Sequence, residues 1–274
     1  MAQNYADKYS PKVDERFKLG SLTDIAVNKD YDFVGVNAVN VYTINTVELG
    51  DYSMATGANR FGEPAEIDDA KQTLTLSQDK AFTFVIDNRN KEDSMGAKDA
   101  GKALRREIDE VIIPTIDKYR LATMVTGAGN ATTAAAITSS NAYDKFLEAE
   151  SLLTDDMVPV EGRIAYVSPT FYKAIKQDNS FILASEMGQE MLAKGVVGMI
   201  DGVKVVLVPT SYLPKTVEFI ITHKDACVSP VKLATYRVNT EPQGIDGALV
   251  EGRIYYDAFI LNNKANAIAV HKNA

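Results

Sequence analysis

The chain has 274 residues, of which 46% are hydrophobic and 24% charged, and its net charge at pH 7 is −8. This composition is that of a globular protein that can bury one large core or two modest ones. The acidic balance, without a Lys/Arg-rich stretch, disfavours direct nucleic-acid binding, and the lack of a long apolar run excludes a transmembrane helix or signal peptide.

Cysteine usage indicates where the chain is made. Cys227 is its only cysteine, so it can form neither an internal disulfide nor a cysteine-based zinc site. We therefore expect synthesis in a reducing cytoplasm.

Residues 1–38 carry few apolar side chains, and charges, Pro11 and Gly20 separate them. That density is too low for a core, so the segment is either a mobile tail or an arm that is buried on another surface. The aromatic residues Tyr5, Tyr9 and Phe17 favour the arm.

Two β-rich runs follow, at 39–49 and 73–86, both dominated by Val, Ile, Thr, Tyr and Phe. They predict the two arms of one long antiparallel ribbon, which by itself is marginally stable in water. The polar segment 50–70 between them is either a functional loop or a flexible surface loop without a function of its own.

Apolar residues spaced three and four apart over 94–125 predict one long amphipathic helix. Charged residues, including Asp117, fall on its other face. Pro114 removes a backbone donor, so we expect a kink or restart there.

The small-residue segment 126–140 is interpreted as a hinge into a second module that alternates helix and strand over 137–224. Asp201-Gly202 is a strong hairpin signal within it. The predicted elements of the module are a helix capped by Asn141 and ending near Leu153, a strand at 163–167, a helix opened by Ser168-Pro169 and ending near Gln177, a helix at 185–194, the hairpin strands 196–200 and 203–208, and a strand at 217–222.

After this module, residues 231–238, 253–261 and 265–270 are predicted strands that return toward the long helix.

Residues suited to catalysis are scarce. His223 and His271 are the only histidines, and both are expected to be structural or solvated; Cys227 is expected to be a small buried hydrophobe. Gly127 and Gly129 lack the remaining features of a phosphate-binding loop and follow a helix rather than a strand.

Two acidic groups are the remaining candidates for cation ligands or acid/base pairs. Glu66, Asp68 and Asp69 form one, and Asp155 with Asp156 forms the other. Neither matches a calcium-loop spacing, and acidic residues in polar loops are usually solvated. We therefore predict no catalytic, cofactor-binding or metal site and no required cofactor.

The order of elements, and four stretches in particular, resemble the major capsid proteins of tailed bacteriophages, which have the Hong Kong ninety-seven-type fold that encapsulins share. The likeness covers essentially the whole chain. The stretches are LRREIDEVIIPTIDKYRLATMV, GRIAYVSPTFYKAIKQ, GMIDGVKVVLVPTSYLP and VEGRIYYDAFILNNKANAIAV.

The resemblance implies an α+β capsid fold in four parts. These are an N-terminal arm (1–38), an extended β-ribbon or E-loop (39–86) that lies over the adjacent subunit, a peripheral domain with a long spine helix (87–136 with 225–274), and an α/β axial domain (137–224).

It also implies function: a structural protein of the virion that self-assembles as hexamers and pentamers into an icosahedral shell around double-stranded DNA. The shell would carry a portal, possess decoration proteins in some cases, and expand from a procapsid. Contact with the packaged DNA would be non-specific, and no membrane is involved.

Two features depart from some relatives. Met1 leads directly into the arm, so we expect a separate scaffolding protein or a processed chain. Some relatives join a ribbon lysine to a distant asparagine, but neither Lys71 nor Lys80 can be matched to that pattern. The candidate asparagines are Asn262, Asn263 and Asn266.

Two other functions stay open at this point. An encapsulin-type nanocompartment shares the fold and would enclose an enzyme instead of DNA. A small α/β enzyme with residues 50–70 as a lid would depend on His223.

Overall fold

The computed structural model describes residues 20–28, 30–31, 38–44, 46–54, 59–62, 64, 66–93, 99–178, 196–240 and 242–273. The chain divides into two compact units. The ribbon unit is Phe33–Leu76, and the main unit is Met1–Asp32 with Ser77–Ala274. No helix within the described ranges is long and apolar enough to cross a membrane.

The elements are numbered along the chain. The helices are α1 (Asn88–Asp93), α2 (Ala100–Glu107), α3 (Ile113–Thr126), α4 (Ala142–Asp155) and α5 (Pro169–Gln177). The strands are β1 (Val27–Asn28), β2 (Ala38–Ile44), β3 (Asp69–Thr75), β4 (Gln78–Asp87), β5 (Asn130–Ala131), β6 (Arg163–Val167), β7 (Val196–Ile200), β8 (Val203–Leu207), β9 (Val217–His223), β10 (Cys227–Val228), β11 (Val231–Asn239), β12 (Gly247–Tyr256), β13 (Phe259–Ile260) and β14 (Ile268–Lys272).

In the ribbon unit, β2 and β3 pair antiparallel, from Ala38 opposite Thr75 to Ile44 opposite Asp69. The prediction of one ribbon through residue 86 is wrong for its last part, since β4 pairs with β12 in the main unit. Alternating apolar residues favour a strand on either side of Ser77, but alternation carries no information about which strand is the partner.

A six-stranded sheet, in the order β5-β14-β9-β6-β8-β7, forms the core of the main unit. One face packs against α4 and α5, where Phe146, Phe171 and Phe219 meet with ring centroids 4.7 to 6.2 Å apart. Leu121 and Met124 of α3 belong to the core of the other face. Both faces are therefore covered, which explains why every residue of β6 is buried.

Two local signals in this region are confirmed, whereas Asn141 stands at the N-cap position of α4 without a side-chain capping hydrogen bond. The Ser168 hydroxyl accepts a hydrogen bond from the Phe171 N–H at 3.0 Å and so caps α5. Asp201 and Gly202 have φ of 49° and 85°, as the tight turn between β7 and β8 requires. The predicted helix at 185–194 lies outside the described residues.

The interpretation of 126–140 as a hinge is wrong. Its β5 segment pairs in parallel with β14, and the Gly129 N–H donates to the Ala265 carbonyl at 2.8 Å. A Cβ at Gly129 would lie 2.8 Å from the Asn266 backbone nitrogen, so this glycine serves close packing. The strand predicted at 265–270 belongs, as β14, to the six-stranded sheet, and its Ile268 and Val270 share a core with α3.

A smaller antiparallel sheet has the order β11-β12-β4. The predicted long helix runs as α2, a π-helical turn at Ile108–Ile112, and α3, with Pro114 in the first turn of α3. The expected interruption at Pro114 is confirmed, since a residue without an N–H cannot continue the regular hydrogen-bond ladder. Among the described residues the helix begins at Ala100, behind the Asp99 cap.

Candidate functional site

His271 lies between β14 and the segment that follows β5. Its Nδ1 is 2.6 Å from the Thr132 hydroxyl, its Nε2 is 3.0 Å from the Ala135 carbonyl, and its ring stacks on Phe219 with centroids 5.1 Å apart. Burial lowers the pKa of His271. A neutral imidazole donating from Nε2 and accepting at Nδ1 satisfies both contacts, so this histidine holds the segment 132–135 to the sheet.

The other two candidates also have structural contacts. His223 Nε2 is 3.0 Å from the Glu161 carbonyl, and its Nδ1 accepts from the Asp225 N–H at 3.3 Å, which fixes the turn before β6. Cys227 is fully buried, and this burial raises the pKa of its thiol to about 12. Its thiol therefore remains protonated at neutral pH, as expected for a small buried hydrophobe.

Gly127 ends α3, and its N–H donates to the Thr123 carbonyl at 2.9 Å. A Cβ there would lie 2.6 Å from Ile260 Cγ1, so packing accounts for this glycine as well. The Asp156 carboxylate accepts from the side-chain amide of Asn130 at 2.6 Å, while Glu66 is exposed. No group of three or more His, Cys, Asp or Glu side chains within the described ranges is placed to hold a metal.

A buried polar cluster joins residues 21–24 to the middle of the long helix. The Ser21 hydroxyl, the Leu22 N–H and the Thr23 hydroxyl donate to the Asp117 carboxylate at 2.9, 2.9 and 2.5 Å. The Arg120 guanidinium donates to Thr23 and Asp24 at 3.1 and 3.2 Å and to Ser229 at 2.9 Å. We call Asp117, Arg120, Ser229 and residues 21–24 the anchor cluster.

The anchor cluster is strong because its charges are out of water and hydrogen-bonded. Asp117 and Arg120 are 0% and 5% exposed. Hydrogen bonds to a buried ionised group are among the strongest in proteins, and removing one partner leaves the other charge unsatisfied. Residues 21–24 of the predicted arm are thus attached to the rest of the main unit, where β1 also pairs with β10.

A second contact holds the start of β4. The Asp257 carboxylate accepts from the Ser77 N–H at 2.7 Å, from the Tyr119 hydroxyl at 2.7 Å and from the Ala258 N–H at 2.8 Å. Asp117 and Arg120 of the long helix therefore hold residues 21–24, and Tyr119 shares the Asp257 carboxylate with Ser77. Residues 21–24 lie in the predicted arm and Ser77 follows the ribbon unit, the two segments predicted to reach other subunits.

Sequence reasoning missed this cluster. The predicted polar face of the helix includes Asp117, yet the structure buries it completely. The available signal was the oppositely charged pair Asp117 and Arg120, three residues apart between the apolar residues Ile116 and Leu121.

The ribbon unit has large apolar side chains in solvent. Leu49 is 103% exposed and Phe61 is 89% exposed. A turn presents Phe61: the Gly62 N–H donates to the Asn59 carbonyl at 3.0 Å, and the Tyr52 ring meets the Phe61 ring edge-on at 5.0 Å. The other large exposed apolar residues of this unit are Tyr42, Ile44, Val47, Met54 and Ile67.

Large apolar side chains exposed in this number within one small unit are typical of a site of protein association. Lys71 of the ribbon unit has its ammonium 5.9 Å from the centre of the Tyr42 ring. Lys80 lies in β4 of the main unit, and Asn262, Asn263 and Asn266 lie in a short 3₁₀ segment, Asn262–Ala267. These lysines and asparagines still cannot be matched to the lysine–asparagine crosslink of some relatives.

Comparison with known proteins identifies the family. A family model described as phage capsid protein matches residues 80–272. A search of curated proteins finds no match.

Solved phage structures share the fold over the whole chain. A structure from Mycobacterium phage Che8 is 18% identical with a TM-score of 0.73, covering 99% of this chain and 98% of that one. The capsid structure of cyanophage P-SCSP1u is 14% identical with a TM-score of 0.76, covering 99% and 93%. The head structure of Helicobacter pylori bacteriophage KHP40 is 11% identical with a TM-score of 0.74, covering 99% and 95%.

The family model spans well over half of the chain, and the fold agrees with the expected α+β capsid fold. The apolar ribbon fits a protein that associates with copies of itself. The chain therefore belongs to the phage capsid protein family and is a structural protein of the phage capsid.

Proposed function

We propose that this chain assembles as hexamers and pentamers into an icosahedral head that encloses double-stranded DNA. The observation that carries the proposal is the contrast between a six-stranded sheet covered on both faces and a ribbon unit with apolar side chains in solvent. The first can fold within one chain, whereas the second gains burial only by association.

The chain acts in this proposal through assembly and not as an enzyme. The side chains best suited to acid/base or nucleophilic chemistry already have structural contacts: His271 with Thr132 and Ala135, His223 with Glu161, and Cys227 in the core.

The parts of the shell subunit are proposed as follows. Residues 1–38 form the N-terminal arm and 39–86 the E-loop segment, of which β4 pairs within the main unit and the β2–β3 ribbon places its exposed apolar residues over a neighbouring subunit. The peripheral domain, with the spine helix, is 87–136 with 225–274, and the axial domain is 137–224. Pairing of β4 with β12, and of β14 with β9, supports a tight connection among these parts within one chain.

The proposed partners beyond the chain itself are a separate scaffolding protein, a portal and decoration proteins. Packaged DNA is contacted without sequence specificity. A net charge of −8 is compatible with this, because an acidic wall would repel the polymer and keep it from adhering.

Deleting residues 50–70 tests the proposal. We expect a folded chain, by circular dichroism, that no longer forms closed shells by electron microscopy, since the main unit retains its core. The unmodified chain, alone or with its scaffolding protein, is the control and should form closed shells; in particles from infected cells the contents should be DNA that resists nuclease until the shells are opened. A persistent monomer from the unmodified chain, or normal shells from the deletion, contradicts the proposal; an enzyme cargo in place of DNA contradicts the assignment of the contents.

A further inference from the structure

A cavity of about 180 Å³ lies between the long helix and the sheet β11-β12-β4. The sheet contributes aromatic and aliphatic side chains, and the helix contributes residues from its π-helical turn and the start of α3. The apolar lining residues are Phe82, Tyr236, Ile254, Tyr256, Val111, Ile112 and Ile116.

This cavity has the size and chemistry of a site for one aromatic ring. An apolar cavity of about 150 Å³ is large enough to bind benzene. The helix above it contains no buried residue from Ala100 to Ile112, so this part of the helix covers the sheet loosely. π-helical turns are frequent at functional sites.

Two opposite charges border the cavity. Lys80 and Glu107 line it, and neither has an ion pair or hydrogen bond with another side chain in the described ranges. An incoming segment with an apolar centre and one charge of each sign would match this border.

The ribbon unit carries such a segment. Phe61, 89% exposed in the single chain, follows Arg60 in a hydrogen-bonded turn, and the sequence continues with Gly62 and Glu63. Arg60 is exposed and has no side-chain partner among the described residues. The positive charge of Arg60 and the Phe61 ring complement Glu107 and the cavity.

We propose that Phe61 of one copy of the chain enters this cavity in a second copy, with Arg60 facing Glu107 of that second copy. The proposal rests on the self-assembly proposed above and deepens it by naming the receiving site. A large aromatic side chain that fills a desolvated pocket is typical of an interface hot spot.

The first test compares two full-length variants under conditions in which the unmodified chain forms shells. Phe61→Ala should raise the subunit concentration needed for shells by about tenfold or more, measured by sedimentation. Leu49→Ala removes an equally exposed apolar side chain from the same unit and should have a much smaller effect. Equal losses of shell assembly from the two variants would overturn the site, because they would indicate non-specific hydrophobic association of the ribbon.

The second test uses charge reversal, which leaves the core untouched. Arg60→Glu and Glu107→Arg should each reduce shell yield, and the chain with both changes should recover it, since every interface then has the opposite pair. Failure of the double variant to recover while both single variants lose assembly contradicts the proposed pairing.

A third measurement separates a second copy from the same chain. Chains with Arg60→Cys are mixed with chains with Glu107→Cys, and oxidation should yield a disulfide-linked dimer; buried Cys227 provides no competing thiol. If the chain with both cysteines instead closes only within itself, the site is intramolecular and the proposal is wrong. If the unmodified chain forms no shells, the self-assembly proposal is wrong. If the unmodified chain forms shells and Phe61→Ala forms them equally well, self-assembly stands and the proposed site is wrong.

Discussion

The two larger sheets of the main unit differ in how completely one chain covers them. The six-stranded sheet lies between α3 and the pair α4 and α5, and its central strand β6 is buried throughout. The sheet β11-β12-β4 has a loosely packed helix and a cavity on one face, and Val85 and Val238 of its outer strands are 47% and 38% exposed.

This difference indicates where folding ends and assembly begins. A sheet covered on both faces obtains its stability within the chain, because its apolar area is already out of water. A sheet with exposed strands and an unfilled cavity can still gain free energy from a partner. Substitutions in the first region should therefore affect unfolding, and substitutions in the second should affect association.

The largest effect on the free energy of unfolding is expected in the aromatic cluster of the six-stranded region. Phe219 is fully buried and contacts Phe146 and Phe171. Phe219→Ala should lower the free energy of unfolding by about 3–5 kcal/mol, because it leaves a cavity in a close-packed core. Urea unfolding followed by circular dichroism measures the change.

Phe84→Ala, in the half-buried strand β4, is the matched control for this comparison. It should cost only about 1–2 kcal/mol, since less apolar area is lost from burial. Equal losses from the two variants would contradict the view that the sheets differ in completeness.

A smaller effect is expected at the anchor cluster. Asp117→Asn should lower the free energy of unfolding by about 2–3 kcal/mol, because an amide cannot accept the hydrogen bonds of Ser21, Leu22 and Thr23 while balancing the charge of Arg120. Limited proteolysis should cut near residue 20 faster than in the unmodified chain. Asp155→Asn, at an exposed carboxylate, should leave both measurements unchanged.

The smallest expected effect on the free energy of unfolding is at Glu148 of α4, at the edge of the six-stranded region. Hydrogen bonds from Lys145 and Thr133 lower the pKa of Glu148 from 4.5 to about 2. Because the pKa is lower in the folded state, the stabilisation is complete above about pH 4.5 and is lost as the pH falls toward 2.

Glu148→Gln should therefore cost about 1 kcal/mol or less at pH 7, since the group is partly solvated. The difference from the unmodified chain should vanish near pH 2, measured by urea unfolding across this range. A difference that persists unchanged at low pH would show that the carboxylate charge is not its source.

Local signals allowed several elements to be predicted. Ser168-Pro169 indicated the start of α5, Asp201-Gly202 indicated the hairpin, and Pro114 indicated the interruption of the long helix. Each depends on backbone preferences of neighbouring residues, which a short stretch of sequence contains.

The partners of these elements could not be predicted in the same way. The Asp257 carboxylate accepts from the Ser77 N–H across 180 positions of sequence. In the sequence, Asp117 does not differ from other charged residues on a helix surface, because its donors in residues 21–24 lie far away along the chain. A buried charge is recognised only when its donors are known, and those donors come from distant parts of the chain.

By itself, the sequence determined the kinds of elements, their order, and a resemblance to phage capsid proteins that the family comparison bears out. The tertiary structure alone decided that β4 leaves the ribbon for β12, that β14 joins β9, and that the mid-helix charges form an anchor cluster. The physical reason is one of range: periodicity reflects neighbours a few residues apart, whereas pairing and charge burial depend on the packing of segments distant in sequence.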